Sequence, residues 1–202
     1  MDLPVDATNR TSAVATTSDA GKLAFGQGQV QVVEVASKKV LLQIAGANAR
    51  VTSLAMSGDG TLLVVGLESG AVQIHRLAPR AEKLSEGSHH RGAVTAVAAG
   101  GQGFASADDS GQIVLWGKNG QKQGVVNVGA RGVKALLFLG DRAVAAGCGD
   151  GSVKIVDTSS GAAVATHNVA SAAITALVFA RDKLALAIGT QSGQVSLLAL
   201  EA

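Results

Sequence analysis

The chain has 202 residues, 47% of them hydrophobic, and its 17 basic and 15 acidic residues leave a formal net charge of +2. This length and apolar content suit one folded domain with a substantial core and exclude an intrinsically disordered chain. The near balance of charge, with four Phe, one Trp and no Tyr, argues against direct binding of nucleic acid by base stacking.

The N-terminus and the cysteine content bear on the compartment. MDLPVDATNR begins with acid and lacks a basic run followed by an apolar one, so a secretory signal is not expected. Charges interrupt the apolar stretches, as at 181–183, so no membrane-spanning helix is predicted. A single cysteine, Cys148, excludes an internal disulfide framework and fits a reducing compartment. We therefore expect an intracellular protein, cytoplasmic or nuclear, that is not secreted and has no membrane partner.

A repeat organises the chain. In chain order, its most regular segments are QGQVQVVEV (27–35), SGAVQIHRL (69–77), SGQIVLWGK (110–118), DGSVKIVDT (150–158) and SGQVSLLAL (192–200). Their shared glycines recur every 40 to 42 residues, at Gly28, Gly70, Gly111, Gly151 and Gly193. Apolar residues alternate with other residues after each glycine, which predicts a turn followed by a β-strand.

A second run precedes each of these segments. The runs are TSAVATT (11–17), VTSLAM (51–56), VTAVAA (94–99), VKALLF (133–138) and ITALVF (174–179), each followed by a strand of small residues such as LLVVG. A unit of about 41 residues with four short strands predicts a β-propeller.

The third unit carries a family resemblance. HRGAVTAVAAGGQGFASADDSGQIVLW resembles a blade of the WD-repeat (WD40-type) propellers, with its His–x3–Val start, its Ala-Ser second strand and its third strand ending in Trp. The resemblance covers residues 11–200 and implies an all-β fold, a single propeller domain over 1–202 in a divergent member of the family. The five blades would span approximately 11–49, 50–90, 91–131, 132–172 and 173–202, with an N-terminal strand at 2–6.

The resemblance also implies a structural hydrogen-bonded set of His, Ser or Thr, Asp and Trp within a blade. In the third blade this set maps onto His90, Ser106, Ser110 and Trp116, so a serine holds the acid position and Asp109 stands one place away. The fourth blade keeps the acid, Asp150, but has Val156 in place of Trp. No blade is expected to have a complete set, so apolar packing between neighbouring sheets is expected to stabilise the blades.

Closure of the ring has two alternatives. The last unit stops after its third strand, and residues 2–6 (DLPVD) precede the first unit. Residues 2–6 could supply the missing strand and close a five-bladed ring, which would remove exposed sheet edges. Alternatively, the ring is incomplete and another chain fills the gap, adding strands or a blade. A chain cut from a longer protein at a blade boundary would show the same pattern.

The glycine-rich stretch AAGCGDGSVKIVD (145–157) raises the question of a phosphate-binding loop. A phosphate loop leads into a helix, whereas the residues after Gly151 alternate as in a strand, so we interpret this stretch as a turn. His89 and His90 have no spaced partners of metal-ligand type. We therefore predict no cofactor, no metal and no catalytic residue.

Arginines mark one predicted face of the propeller. Arg50, Arg91 and Arg131 lie in successive loops that lead into a first strand, and Glu68, Asp109 and Asp150 lie in turns on the same face. Forked hydrogen bonds from arginine suit carboxylate and phosphate groups.

The sequence thus predicts a non-catalytic scaffold for protein–protein interaction and a subunit of a larger assembly. One alternative is a reader of phospho-motifs or acidic peptides that uses the arginine-lined face. A further alternative is an enzyme with a site in the channel, which is disfavoured because the predicted channel-side strand starts are Val, Thr, Ala and Lys134. The expected partners are other proteins, one of which would complete an open ring, and no small-molecule substrate is expected.

Overall fold

The structure, a computed structural model, describes residues 11–26, 29–44, 49–129, 131–180, 182 and 184–200. In these residues the chain forms 19 β-strands that group into five antiparallel sheets. This all-β architecture confirms the predicted fold class. No helix within the described ranges is long and apolar enough to cross a membrane.

The strands follow one another in chain order. Sheet 1 contains β1 (Ala13–Thr16), β2 (Lys22–Gly26), β3 (Val30–Glu34) and β4 (Val40–Ile44). Sheet 2 contains β5 (Val51–Met56), β6 (Leu62–Leu67), β7 (Ala71–Arg76) and β8 (Glu82–Ser88). Sheet 3 contains β9 (Val94–Ala99), β10 (Gly103–Asp108), β11 (Gln112–Gly117) and β12 (Lys122–Asn127). Sheet 4 contains β13 (Val133–Leu139), β14 (Ala143–Cys148), β15 (Ser152–Asp157) and β16 (Ala162–Asn168). Sheet 5 contains β17 (Ile174–Ala180), β18 (Ala185–Thr190) and β19 (Val195–Ala199).

The first strands of the sheets lie side by side and form the inner wall of the molecule. β1 contacts β5, β5 contacts β9, β9 contacts β13, and β13 contacts β17. Polar side chains link these strands: Ser12 Oγ donates to Val51 O at 2.7 Å, and the Val97 N–H donates to Ser53 Oγ at 3.0 Å. Within the described residues no comparable contact joins β17 back to β1. The five sheets therefore form an open arc, as the alternative of an incomplete ring predicts.

Apolar side chains between neighbouring sheets form the core. On the third strand of each of the first four sheets, two alternating residues point toward the next sheet and are at most 9% exposed: Val30 and Val32, Val72 and Ile74, Ile113 and Leu115, Val153 and Ile155. Because burial of one such side chain contributes about 1.5–3 kcal/mol, these repeated contacts dominate the stability of the stack. Two of the sequence predictions, the strand at 2–6 and the turn glycine Gly28, lie outside the described residues.

Candidate interaction face

One edge of the arc collects the loops that lead into the first strands and the turns between the second and third strands. We call it the loop edge and define it by Arg50, Arg91 and Arg131 in the loops and Glu68, Asp109 and Asp150 in the turns. All six residues are exposed. In each sheet the turn lies against the loop of the same sheet.

Backbone contacts show how closely the loops and turns of the loop edge approach each other. In sheet 2 the Glu68 N–H donates to Arg50 O at 2.9 Å. In sheet 3 a Cβ added at Gly92, next to Arg91, would lie 2.0 Å from Asp109 Oδ1. In sheet 4 a Cβ added at Gly149 would lie 2.3 Å from Arg131 O. Each predicted arginine therefore stands beside a predicted acid.

The charge of the loop edge is mixed. Within the described part of the chain, neither Arg91 nor Arg131 forms an ion pair; ion pairs join Arg76 to Glu82 and Lys83 to Glu86 on sheet 2. Arginines and acids alternate along three consecutive sheets, so the face does not form a uniformly basic patch. Such alternation favours a partner whose own surface carries both signs of charge.

The turn glycines fix the backbone of the loop edge. Gly70, Gly111 and Gly151 have φ of +83°, +89° and +86°, a region that side chains rarely adopt. A Cβ at Gly111 would lie 2.1 Å from Gly129 O, and a Cβ at Gly151 would lie 2.0 Å from Ala170 O. The loop leading to the next sheet thus packs directly on each turn and leaves no room for a side chain.

The glycine-rich stretch in sheet 4 is one of these turns. The Gly149 N–H donates to Gly132 O at 2.9 Å, and the Gly151 N–H donates to Cys148 O at 3.2 Å. The Ser152 N–H donates to Asp150 Oδ1 at 3.0 Å. These amides, which a bound phosphate would need, already have acceptors within the protein.

Sheet 3 contains a buried chain of hydrogen bonds. Trp116 Nε1–H donates to Ser106 Oγ at 2.8 Å, and Ser106 Oγ lies 2.7 Å from His90 Nε2. His90 Nδ1 lies 3.2 Å from Asp108 Oδ2. All four side chains are buried. A neutral His90 that carries its proton on Nδ1 satisfies every bond of the chain, because Ser106 then donates to Nε2 and His90 donates to Asp108.

The expectation that no sheet has a complete set was therefore wrong, because the acid is Asp108 rather than Ser110 or Asp109. Asp108 is the last residue of β10, and its buried side chain points into the sheet interface on the same strand face as Ser106. Its Oδ1 accepts hydrogen bonds from the Ser110 N–H at 3.0 Å and the Gln112 N–H at 2.9 Å. One signal in the sequence pointed to Asp108: it stands two residues after Ser106, and such residues share a face of a strand.

The assignment of Asp150 to the same position was also wrong. Asp150 lies in the turn, as Ser110 does in sheet 3, and it is exposed. Its Oδ1 accepts a hydrogen bond from Ser152 Oγ at 2.6 Å. The residue at the end of β14 that corresponds to Asp108 is Cys148.

Burial shifts the pKa values of the titratable groups inside sheets 3 and 4. Burial lowers the pKa of His90, and the nearby Asp108 carboxylate only partly opposes this effect. Although burial raises the pKa of Asp108, hydrogen bonds from Ser110, Gln112 and His90 hold it below its usual value. Burial raises the pKa of Cys148 and so disfavours the thiolate. No group of three or more His, Cys, Asp or Glu among the described residues is placed to hold a metal ion.

Comparisons with known proteins bear on the fold. No family model matches the chain, and no curated protein matches its sequence. Among solved structures, a chain from a crystal structure of the mitotic checkpoint complex superimposes with a TM-score of 0.84 at 22% identity over 98% of this chain. The structure of U3-55K superimposes with a TM-score of 0.86 at 19% identity over 98% of this chain, and the WD40 repeats of RRP9 with 0.86 at 18% over 99%. This chain spans 63% of each of the three matched chains.

The chain therefore has the WD40-type propeller fold, and its described residues form an incomplete ring. Its low identity to these structures fits the predicted divergence of its sequence.

Proposed function

We propose that the chain is a non-catalytic scaffold for protein–protein interaction, a subunit of a larger assembly that binds its partners through the loop edge. One observation carries the proposal: three consecutive sheets each present an exposed arginine beside an exposed acid, on backbone held by turn glycines. Exposed polar side chains on a rigid framework are typical of binding surfaces. The likeness to a chain of the mitotic checkpoint complex supports a role within an assembly.

A second candidate is a reader of phospho-motifs or acidic peptides. The exposed Arg91 and Arg131, which have no carboxylate partner among the described residues, favour it. Glu68, Asp109 and Asp150 oppose it, because a phosphate group bound beside them would meet like charge. We therefore place the scaffold first, with protein partners, an intracellular setting and no small-molecule substrate.

Two charge variants separate these functions. The first changes Arg50, Arg91 and Arg131 to Ala, and the second changes Glu68, Asp109 and Asp150 to Ala. The control changes Lys39, Lys118 and Arg142 to Ala; these exposed basic residues lie outside the loop edge, and the control removes the same charge as the arginine variant. Each tagged protein is expressed in cells, and co-purifying proteins are quantified by mass spectrometry.

If the chain is a scaffold whose partners contact both the arginines and the acids, the same partners should be lost from both loop-edge variants and kept by the control. If the chain is instead a reader of phospho-motifs, the unchanged protein should bind a fluorescent phosphoserine peptide at low salt. The arginine variant should then lose several kcal/mol of binding free energy, and the acid variant should bind the peptide more tightly. If neither loop-edge variant changes the set of partners, the proposed function is wrong.

A further inference from the structure

A groove runs between the outer strands of sheets 1 and 2, each of which has four paired strands. It has a volume of about 640 Å³ and lies between β4 of sheet 1 and strands β7 and β8 of sheet 2. We call it the side groove and define it by Leu42 and Ile44 on one wall and Gln73, His75 and Glu86 on the other. Its volume is within the range of ligand-binding pockets in proteins.

The two walls of the side groove differ in polarity. On the wall of sheet 1, Leu42 and Ile44 are half-buried and pack against the apolar core between the two sheets. On the wall of sheet 2, Gln73 and His75 point toward sheet 1 and are each only 6% exposed. Two largely buried polar side chains thus face an apolar wall across an open space.

The interface between sheets 2 and 3 shows how the corresponding place is filled elsewhere in the chain. The residues of β11 that correspond to Gln73 and His75 are Val114 and Trp116, and both are buried in the apolar core of that interface. The indole of Trp116 also donates its Nε1–H to Ser106 Oγ at 2.8 Å. Because an imidazole is smaller than an indole, sheet 2 leaves a space where sheet 3 has an aromatic ring.

Hydrogen bonds fix the tautomer of His75. Hydrogen bonds from Lys83 and Gln73 hold the pKa of Glu86 below its usual value, so Glu86 is a carboxylate and Gln73 Nε2 donates to its Oε1 at 3.1 Å. Gln73 Oε1 then faces His75 Nε2 at 3.2 Å, so this ring nitrogen carries a proton. Burial and the nearby Lys83 lower the pKa of His75 to about 4, so the ring is neutral at pH 7. His75 Nδ1 is therefore an acceptor.

This acceptor has no hydrogen-bond partner among the described residues. In the described ranges, the fully buried side-chain polar atoms without a partner are Gln31 Oε1 and Gln112 Oε1, so His75 Nδ1 keeps contact with the side groove. An acceptor in a largely buried side chain is stabilised by any donor that reaches it. The side groove thus provides one unused acceptor beside an apolar wall.

The charges around the side groove are paired with each other. Arg76 forms an ion pair with Glu82, and Lys83 forms one with Glu86. A cationic ligand would meet Lys83, and an anionic ligand would meet the two acids and the lone pair of His75. The complement of the side groove is therefore an uncharged apolar group that carries one hydrogen-bond donor.

We propose that the side groove binds a peptide segment of a partner protein through a tryptophan, whose indole lies against Leu42 and Ile44 and donates its N–H to His75 Nδ1. An indole is apolar, has one donor and has no acceptor, and tryptophan is frequent among the anchors of protein interfaces. The only Trp of this chain, Trp116, is buried in sheet 3, so the indole comes from another protein.

A peptide segment suits the side groove better than a free indole compound. Lining residues follow β7 from Ala71 to His75 and continue on β8 to Ser88, which is longer than one side chain. The proposal adds a second binding surface to the scaffold and does not depend on the loop edge.

Two short peptides serve as probes. The first is acetylated and amidated Ser-Ala-Leu-Trp-Ala-Ser, and the second contains 1-methyltryptophan, which keeps the ring but lacks the N–H donor. Each is titrated into the 15N-labelled 202-residue chain, and NMR follows the Leu42 amide and the ring nitrogens of His75. We expect saturable shifts with the first peptide, including a shift of His75 Nδ1, and binding of the second that is about five- to tenfold weaker.

Two variants with matched controls locate the binding. His75→Phe removes the acceptor, so it should bind neither peptide more tightly than the unchanged chain binds the methylated one; His167→Phe, on sheet 4, should bind like the unchanged chain. Leu42→Lys places a charge on the apolar wall and should weaken binding about tenfold or more. Val164→Lys, at a position of β16 that is 61% exposed, should leave binding unchanged. Thermal unfolding verifies that each variant is folded.

Several outcomes would overturn the proposal. They are the absence of saturable shifts, equal binding of the two peptides by the unchanged chain, and undiminished binding of the tryptophan peptide by His75→Phe. A peptide with arginine in place of tryptophan should bind more weakly; tighter binding would show a site for cations instead. N-acetyltryptophanamide should also bind more weakly than the peptide, and equal binding would show a site for free indole compounds.

A variant of the loop edge separates this proposal from the proposed function. The chain with Arg91 and Arg131 changed to Ala should bind the tryptophan peptide normally, because neither residue lines the side groove. The co-purification experiment on the loop edge does not involve the side groove. Failure of this proposal and failure of the proposed function are therefore distinguishable.

Discussion

Sheets 3 and 4 have the same backbone but different interiors. Both have four strands in the same order, with register shifts at corresponding positions and turn glycines of nearly equal φ. Where sheet 3 has Ser106, Asp108 and Trp116, sheet 4 has Ala146, Cys148 and Val156, and all six side chains are buried. The hydrogen-bonded set is therefore not required for the shape of a sheet, whereas the alternating apolar face is common to both.

The two sheets attach their loops by different means. In sheet 3, His90 precedes β9 and its ring is held by Ser106 and Asp108. In sheet 4 the corresponding loop is held by the backbone bond from the Gly149 N–H to Gly132 O. A buried polar set is stable only when every member has its partner. We therefore expect sheet 3 to respond more strongly than sheet 4 to the loss of a single polar group.

The largest expected effect follows from Asp108→Ala. This change removes the acceptor for His90, the Ser110 N–H and hydroxyl, and the Gln112 N–H, and leaves buried donors unsatisfied. We expect the free energy of unfolding to fall by about 3–5 kcal/mol. Denaturant unfolding followed by circular dichroism measures the change.

Asp150→Ala in sheet 4 is the matched control. Asp150 is exposed and its carboxylate accepts hydrogen bonds only from Ser152 among the described residues. Its loss should cost about 1 kcal/mol, because water replaces the lost partner. If Asp108→Ala and Asp150→Ala lower the free energy of unfolding equally, the buried hydrogen-bonded set contributes no more to stability than the hydrogen bonds of an exposed turn.

The stability of the chain is also expected to depend on pH, with a smaller effect than that of Asp108→Ala. The residue responsible lies on sheet 2, at the position that Trp116 occupies in sheet 3 and Val156 in sheet 4. Sheet 2 has His75 there, and burial first, then the nearby Lys83, lowers the pKa of His75 to about 4. Because this pKa lies below the unfolded value of 6.5, the unfolded chain binds the proton more readily. The contribution to stability is present above pH 6.5 and is lost as the pH falls from 6.5 to about 4.

His75→Phe tests this dependence, since it keeps an aromatic side chain that does not titrate. Between pH 7 and 4.5, the unchanged chain should lose about 2 kcal/mol more stability than the variant does. His90 contributes with the same sign in both proteins, so it cancels in the comparison. Parallel stability curves for the two proteins would contradict the assignment of a buried neutral His75.

The sequence predicted the repeated strands and turns better than the positions of the buried polar side chains. The alternation after Gly70, Gly111 and Gly151 predicted strands at the right places, because a strand with one buried face has a period of two. Asp108 was missed because the acid position was counted back from Gly111, which gives Ser110 in the turn instead of the last residue of β10. The exposure of Val195 and Leu197 was not predictable either, since their pattern equals that of the buried pairs and only a neighbouring sheet makes the difference.

The smallest expected effect concerns Cys148, the counterpart of Asp108 in sheet 4. Its thiol is fully buried and lies 3.5 Å from Ala146 O, where it fills the space that the carboxylate occupies in sheet 3. Cys148→Ser replaces it with a more polar hydroxyl that has the same carbonyl within reach, so the free energy of unfolding should fall by only about 1 kcal/mol. Burial also keeps the thiol protonated, so maleimide should label the native chain at pH 7.5 much more slowly than the chain unfolded in guanidinium. Rapid labelling of the native chain would show instead that sheet 4 opens at this edge, and that apolar packing holds its loop less firmly than the hydrogen-bonded set holds the loop of sheet 3.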